Sequence, residues 1–142
     1  MDKGVYRIID ANLNRVMEGI RVCEDITRFS SNNAALTIRL KDLRHDIFNA
    51  VKALRKEHLE ELVSSRDIND VGFRSTESEM DRENLVDLFL ANTQRGKESL
   101  RVLEEVLKLF EQDLSKKFKN FRFKLYDVEK TAIKELETIA SV

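Results

Sequence analysis

The side chains with the clearest chemical use in this sequence are arginines, amides and carboxylates. Arg7, Arg15, Arg21, Arg44, Arg66, Arg95, Arg101 and Arg122 are accompanied by Asn12 and Asn92, and by Asp25, Asp67, Asp70, Glu104 and Glu105. A guanidinium grips a phosphate through two parallel N–H···O bonds. Carboxylates hold Mg²⁺ through one or two oxygens while a substrate's phosphates supply others. The set therefore suits phosphates and magnesium. Other sites are absent from the sequence: it contains no G-x-x-x-x-G-K-[ST], no G-x-G-x-x-G, no H-E-x-x-H and no pair of cysteines. His45 and His58 read as surface or partner-bonded histidines rather than metal ligands.

These residues are not scattered. Residues 11–25, A-N-L-N-R-V-M-E-G-I-R-V-C-E-D, return as residues 91–105, A-N-T-Q-R-G-K-E-S-L-R-V-L-E-E, with seven of fifteen positions identical. Composition alone gives about one identity in such a window. Helical spacing sorts each copy into faces. Ile9, Leu13, Val16, Ile20 and Cys23 form an apolar seam, while Asn14, Glu18, Arg21, Asp25 and Arg28 run down a charged stripe answered by Gln94, Glu98, Arg101, Glu105 and Lys108. Between seam and stripe lie Asn12, Arg15, Gly19 and Val22, answered by Asn92, Arg95, Ser99 and Val102. A small side chain beside an arginine opens room, either for a close helix crossing or for an anion.

The elements that position these residues are helices. There is no proline and only four glycines, and Leu, Glu, Lys and Arg are abundant. The first helix begins between Lys3 and Asp10 and runs to about Phe29. Ser30-Ser31-Asn32-Asn33 breaks it and caps a second helix carrying Leu36, Leu40, Leu43, Ile47, Val51 and Leu54, which bends around Lys56 to His58 before a short turn through Leu59, Leu62 and Val63. Residues 64–76 form the long irregular segment, with Gly72 suited to a left-handed turn. Thr76-Glu77-Ser78-Glu79 has capping-box spacing, from which a long helix reaches Phe110, and Asp113 or Ser115 caps the last helix. The repeat continues there: Leu36, Arg39, Leu40, Lys41, Leu43, Arg44, Ile47 and Phe48 align with Leu114, Lys117, Phe118, Lys119, Phe121, Arg122, Leu125 and Tyr126. The expected fold is all-α. Two duplicated helical hairpins, about 9–52 and 89–130, form a four-helix bundle, with a short extra helical turn and a C-terminal helical extension that could be an oligomer contact.

Bulk properties bound the function. The 142 residues suffice for a single domain with a real core. The 25 basic and 26 acidic side chains nearly cancel, which argues against a nucleic-acid binder living on phosphate attraction. Any anion site must be local. The lone Cys23 lies on the apolar seam and reads as a core thiol in a reducing compartment. No signal-peptide pattern and no run of eighteen apolar residues occurs, so the expectation is a soluble cytoplasmic protein without a membrane partner.

Four blocks in order, R-I-I-D-A-N-L-N-R-V-M-E-G-I-R-V-C-E-D at 7–25, L-K-D-L-R-H at 40–45, S-R-D-I-N-D-V-G at 65–72 and A-N-T-Q-R-G-K-E-S-L-R-V-L-E-E at 91–105, resemble the small all-helical hydroxymethylpyrimidine-phosphate kinases of thiamin biosynthesis. These are the non-ribokinase type, standalone or fused to thiamine-phosphate synthase. The resemblance covers roughly residues 5–130. The loop departs from the family's R-D-x-x-x-D-x-G in being one residue shorter. The resemblance implies a kinase that moves the γ-phosphoryl group of ATP, with Mg²⁺, onto 4-amino-5-hydroxymethyl-2-methylpyrimidine phosphate to give the diphosphate. On that reading Arg15 and Arg21, with Asn12, take one phosphate group; Arg95 and Arg101, with Asn92, take another. Arg44 and Arg66 support them, and Asp67, Asp70 or Asp25 serve magnesium. Candidate stacking partners for the pyrimidine are Phe29, Phe73 and Tyr126. The implied partners are ATP and the pyrimidine monophosphate, with a homo-oligomer or an association with thiamine-phosphate synthase also open. Two other readings stand beside it. One is an all-α, Mg²⁺-dependent nucleotide pyrophosphohydrolase, for which Glu57-x-x-Glu60 is the tidiest E-x-x-E. The other is a non-enzymatic docking or oligomerisation domain.

Overall fold

The computed structural model describes residues 2–76 and 80–140, with side chains as far as Leu136. Six α-helices are seen among the described residues, and no strand. Helix α1 spans Lys3–Asp25, and Asp2 caps it by accepting from the Val5 N–H at 3.0 Å. It continues into a wider π-helical turn, Ile26–Ser30. Asn32 then takes φ 50°, a left-handed conformation asparagine tolerates. Asn33 caps α2, Ala34–Ala50, through the Leu36 N–H at 3.0 Å. The serine–asparagine cluster thus breaks one helix and caps the next, as its chemistry predicts.

The second helix breaks earlier than its sequence suggests. Short helices α3, Lys52–Glu57, and α4, Leu59–Ser64, follow α2, with breaks at Val51 and again at His58. Glu57 and Glu60 consequently fall on different short helices, which removes the single E-x-x-E face that a pyrophosphohydrolase needs. The expected long helix from Thr76 is also corrected. Helix α5 spans Leu85–Val106 and is capped by Asn84, whose side chain accepts from the Asp87 N–H at 2.9 Å. The backbone at residues 81–83 is not helical. Glu77, Ser78 and Glu79, three of the four residues of the supposed capping box, lie outside the described residues. A 3₁₀ turn, Leu107–Leu109, ends α5, and α6 spans Gln112–Ala140. Ser115 is not its cap: the hydroxyl is buried and donates to the Glu104 carbonyl at 2.6 Å, tying α6 to α5.

Helices α1, α2, α5 and α6 form a four-helix bundle in which α1 packs along α2 and α5, and α6 along α5 and α2. Both apolar seams are buried, Ile9, Leu13, Val16, Ile20 and Cys23 on α1 against Leu100, Leu103, Leu114, Phe118 and Leu125 from the second hairpin. The stretch from Glu129 to Leu136 is no free arm. Ala132 and Leu136 belong to the core, and Glu135 bonds the Asn33 side chain at the start of α2.

The central pair is α1 and α5. A β-carbon placed on Gly19 would stand 2.9 Å from the Asn92 carbonyl oxygen and 3.7 Å from the Gly96 nitrogen. Four residues further along α1, the Cys23 thiol reaches the Phe89 carbonyl at 3.6 Å. Rising numbers on α1 meet falling numbers on α5, so the two copies cross antiparallel. The small residue at position 19 therefore serves a close crossing.

Candidate active site

That crossing places the two copies' arginines in one cleft. Arg15 and Asn12 from α1 face Gln94, Arg95, Glu98, Ser99 and Val102 from α5 across a space of about 410 Å³, with Gly72 and Arg82 of the α4–α5 connection at its edge; Glu98 is its one carboxylate and accepts from the Gln94 amide at 2.9 Å. A cleft of that volume is in the range of small-molecule sites. Arg15 and Arg95 are both exposed, and neither makes a hydrogen bond or ion pair among the described residues. Asn12 and Asn92 behave alike. Each side-chain amide donates to the carbonyl four residues back, Ile8 or Leu88, at 2.8 Å. One amide N–H of each is thus spent on the helix; Asn12 lines the cleft, whereas Asn92 does not and sits at the Gly19 crossing.

The other arginines are engaged. Arg44 forms a two-pronged pair with the buried Glu24, at 2.9 and 3.2 Å, and Arg122 meets the buried Glu104 at 3.0 Å in the equivalent place of the second hairpin. Arg21 lies 4.0 Å from Glu24 and 3.8 Å from Asp25; Arg101 lies 3.2 Å from both Glu104 and Glu105. Glu105 is held below its ordinary pKa, first by a hydrogen bond from Lys108 and then by Arg101. Arg21 and Arg101 therefore sit on the charged stripe rather than in the Arg15–Arg95 cleft. Arg101 borders a separate hollow of about 340 Å³ with Lys97, Arg122 and Tyr126. There the copies diverge: Lys97 and Glu129 pair at 2.9 Å where the first copy has Met17 and Val51.

The irregular segment folds back on the start of α1. Arg66 clasps the buried Asp10 with two bonds, 2.8 and 3.0 Å, which raises the Arg66 pKa. Arg7 bonds Asp70 and approaches Asp67 at 4.0 Å. Asp67 and Asp70 also accept from the backbone N–H groups of Asn69 and Gly72, so two Asx turns shape the loop. Asp70 thus stands beside Gly72, which lines the cleft, and Asp67 is tied to Asp70 through Arg7. Asp25, eighteen residues along α1 from Arg7, is about 27 Å away and cannot share an ion with them. Among the described residues no group of three or more His, Cys, Asp or Glu side chains is placed to hold a metal. Two carboxylates with substrate phosphates are nonetheless a normal magnesium environment.

Some participants escaped the sequence reading. Arg82 lies outside both repeats, in a stretch with no periodicity, and only the path of the chain brings it to the cleft. Asp10 lies outside the repeated segment 11–25, and it anchors Arg66. His58 is the partner-bonded residue expected: its Nδ1 lies 3.3 Å from the Tyr6 hydroxyl, and its ring packs on Tyr6 and Phe110. Among the stacking candidates, Phe29 and Phe73 are 66% and 78% exposed, while Tyr126 lies under the Lys97 ammonium at 4.5 Å.

The fold is thus an all-α bundle of two matched hairpins, with one cleft that carries from each copy an arginine unpaired among the described residues. The chain belongs to the ThiD2 family, which it matches over residues 7–131. It is 40% identical over 127 residues to a thiamine-phosphate synthase of Nostoc punctiforme, covering 88% of this chain and 34% of that one. With the thiamine-phosphate synthase of Thermosynechococcus vestitus it shares 41% identity over 125 residues, 87% of this chain and 34% of the relative. The Rhodopirellula baltica protein of that name is 39% identical over 124 residues, 86% and 32% of the respective chains. The chain thus spans about a third of the length of these relatives. No solved structure matches it. No helix among the described residues is long and apolar enough to cross a membrane.

Proposed function

We propose that this chain acts in thiamin biosynthesis as an ATP- and Mg²⁺-dependent kinase, converting 4-amino-5-hydroxymethyl-2-methylpyrimidine phosphate into its diphosphate. Family membership and the thiamine-phosphate synthase relatives support the pathway. One structural observation carries the reaction type: Arg15 and Arg95, one from each helical copy, stand in a single cleft unpaired among the described residues. Two anionic groups must approach for a phosphate to attack a phosphate, and two cations from opposite walls are what such an approach requires.

The chemistry suits a cleft without a histidine base. The acceptor is a phosphate monoester, whose second proton leaves near pH 6, so its oxygen is already ionised at neutral pH. That oxygen forms a bond to the γ-phosphorus as the bond to the β,γ-bridging oxygen breaks, and ADP departs. Arg15 and Arg95 hold the acceptor phosphate and the triphosphate in line, and the amide of Asn12 retains one N–H for a phosphate oxygen. Asp67 and Asp70 would hold Mg²⁺, exchanging their contacts with Arg7 for it. When bound, the ion supplies charge neutralisation at the phosphates. Arg44 and Arg101, bound to Glu24 and Glu104, support the helices rather than the phosphates.

The direct test is ADP release with Mg-ATP, comparing the pyrimidine monophosphate with the free alcohol and with a blank lacking acceptor. Turnover with the monophosphate alone is expected, because an arginine left without its anion makes the alcohol a poor substrate. Equal rates in all three tubes, or none in any, would discard the kinase.

A further inference from the structure

Beyond the Gly19 crossing, α1 and α5 border a second hollow of about 510 Å³, walled by Val22, Ile26, Phe29, Leu85 and Leu88, with Asp25 and Ser30 as its polar members. Val22 is seven residues, about 10 Å, along α1 from Arg15, a span that a small phosphorylated ligand can bridge.

Three observations fit it to a flat aromatic ring carrying an exocyclic amine. Its wall is aliphatic except for Phe29, whose ring is 66% exposed at the rim and carries Arg28 against one face at 4.7 Å. Its charged member is a carboxylate, Asp25, which only accepts hydrogen bonds, while the Ser30 hydroxyl can donate to a ring nitrogen. Its floor is the π-helical turn Ile26–Ser30, a form of backbone that recurs at functional sites. The equivalent turn of the second copy, Leu107–Leu109, tightens into a 3₁₀ helix instead. Two otherwise duplicated helices therefore differ at this hollow.

We propose that the hollow binds the aminopyrimidine edge of a substrate ring. Phe29 stacks on the ring, Asp25 accepts from its exocyclic amine, and its phosphates extend toward Arg15 and Arg95. The assignment rests on the kinase reading of the cleft, and gives Asp25 a base-recognition role in place of a metal one. An aminopyrimidine edge occurs in both the pyrimidine monophosphate and adenine, so the two sources are separated by experiment.

The chain has no tryptophan, and Phe29→Trp therefore installs a single fluorescent reporter. That protein is titrated with the pyrimidine monophosphate, with ADP, with the oxo analogue of each, and with inorganic pyrophosphate. Saturable quenching by an amino-bearing ligand, and none by pyrophosphate, is the expected result, and the ligand that quenches identifies the ring. Adding Asp25→Asn should weaken that ligand about tenfold and tighten its oxo analogue, because the new amide can donate where the carboxylate could not. The assignment is overturned if pyrophosphate quenches like the ring ligands, if neither amino ligand quenches, or if Asp25→Asn shifts amino and oxo forms alike. Wild-type turnover without quenching would remove the ring site and leave the kinase; quenching without turnover would do the reverse.

Discussion

Glu24 and Glu104 are carboxylates that the fold could not tolerate without their arginines. Glu24 is 4% exposed and Arg44 closes over it with two bonds, so deleting one charge strands the other away from water. Glu24→Gln should cost about 3 kcal/mol in urea unfolding, with part of that loss recovered when Arg44→Met is added. Equal stability of the single and double variants would show that Arg44 is not stranded. Cys23 is a second test at this scale. Burial, then the charge of Glu129, pushes its thiol from 9.0 up to about 12. Below pH 9 the thiol is neutral folded or unfolded. Between about 9 and 12 only the unfolded chain ionises, so stability present below 9 is lost as pH rises through that window. Wild type should therefore lose more stability than Cys23→Ala between pH 8 and pH 10.5, measured by parallel denaturant titrations.

At the scale of the element, the glycines of the crossing helices separate two kinds of tight packing. A β-carbon at Gly19 meets the Asn92 backbone carbonyl, which cannot yield without moving α5; at Gly96 it meets the Leu125 δ-carbon, the free end of a side chain. Alanine gains about 1 kcal/mol of helix propensity at either place. Overpacking against backbone costs about 1–3 kcal/mol, so Gly19→Ala should lower the melting temperature while Gly96→Ala stays near wild type. A reversal of that order would mean that the helices are not held at Gly19. The helices themselves were legible because periodicity and caps are local: the seam from Ile9 to Cys23 and the cap at Asn33 follow from neighbouring residues. The start of α5 was misread because Thr76 and Asn84 both offer caps, and local spacing could not choose between them. The cleft was legible in part. Arg15 and Arg95 stood out through the repeat, but their separation from Arg21 and Arg101 depends on which stripe faces the opposite helix. Nothing local reveals that Glu24 and Glu104 claim Arg44 and Arg122, or that Arg82 arrives at the rim.

For the whole molecule, the decisive feature is that an antiparallel crossing turns two distant arginines into neighbours. They are eighty positions apart, and the crossing that sets Gly19 against the Asn92 and Gly96 backbone brings both to one cleft. With a net charge of −1, the chain as a whole does not gather anions, so attraction has to come from this local pair. If both arginines act on one reacting array of phosphates, they act as a unit. Arg15→Ala and Arg95→Ala should each lower kcat/KM by about a hundredfold. The double variant should then fall well short of the ten-thousandfold product, since losing either arginine already spoils the alignment that the other serves. A double variant at the full product would place the arginines on independently bound groups, and unchanged kinetics in both single variants would take the reaction out of the cleft altogether. The pattern across the three variants, rather than the size of any one effect, thus tests whether the crossing of the two copies makes the site.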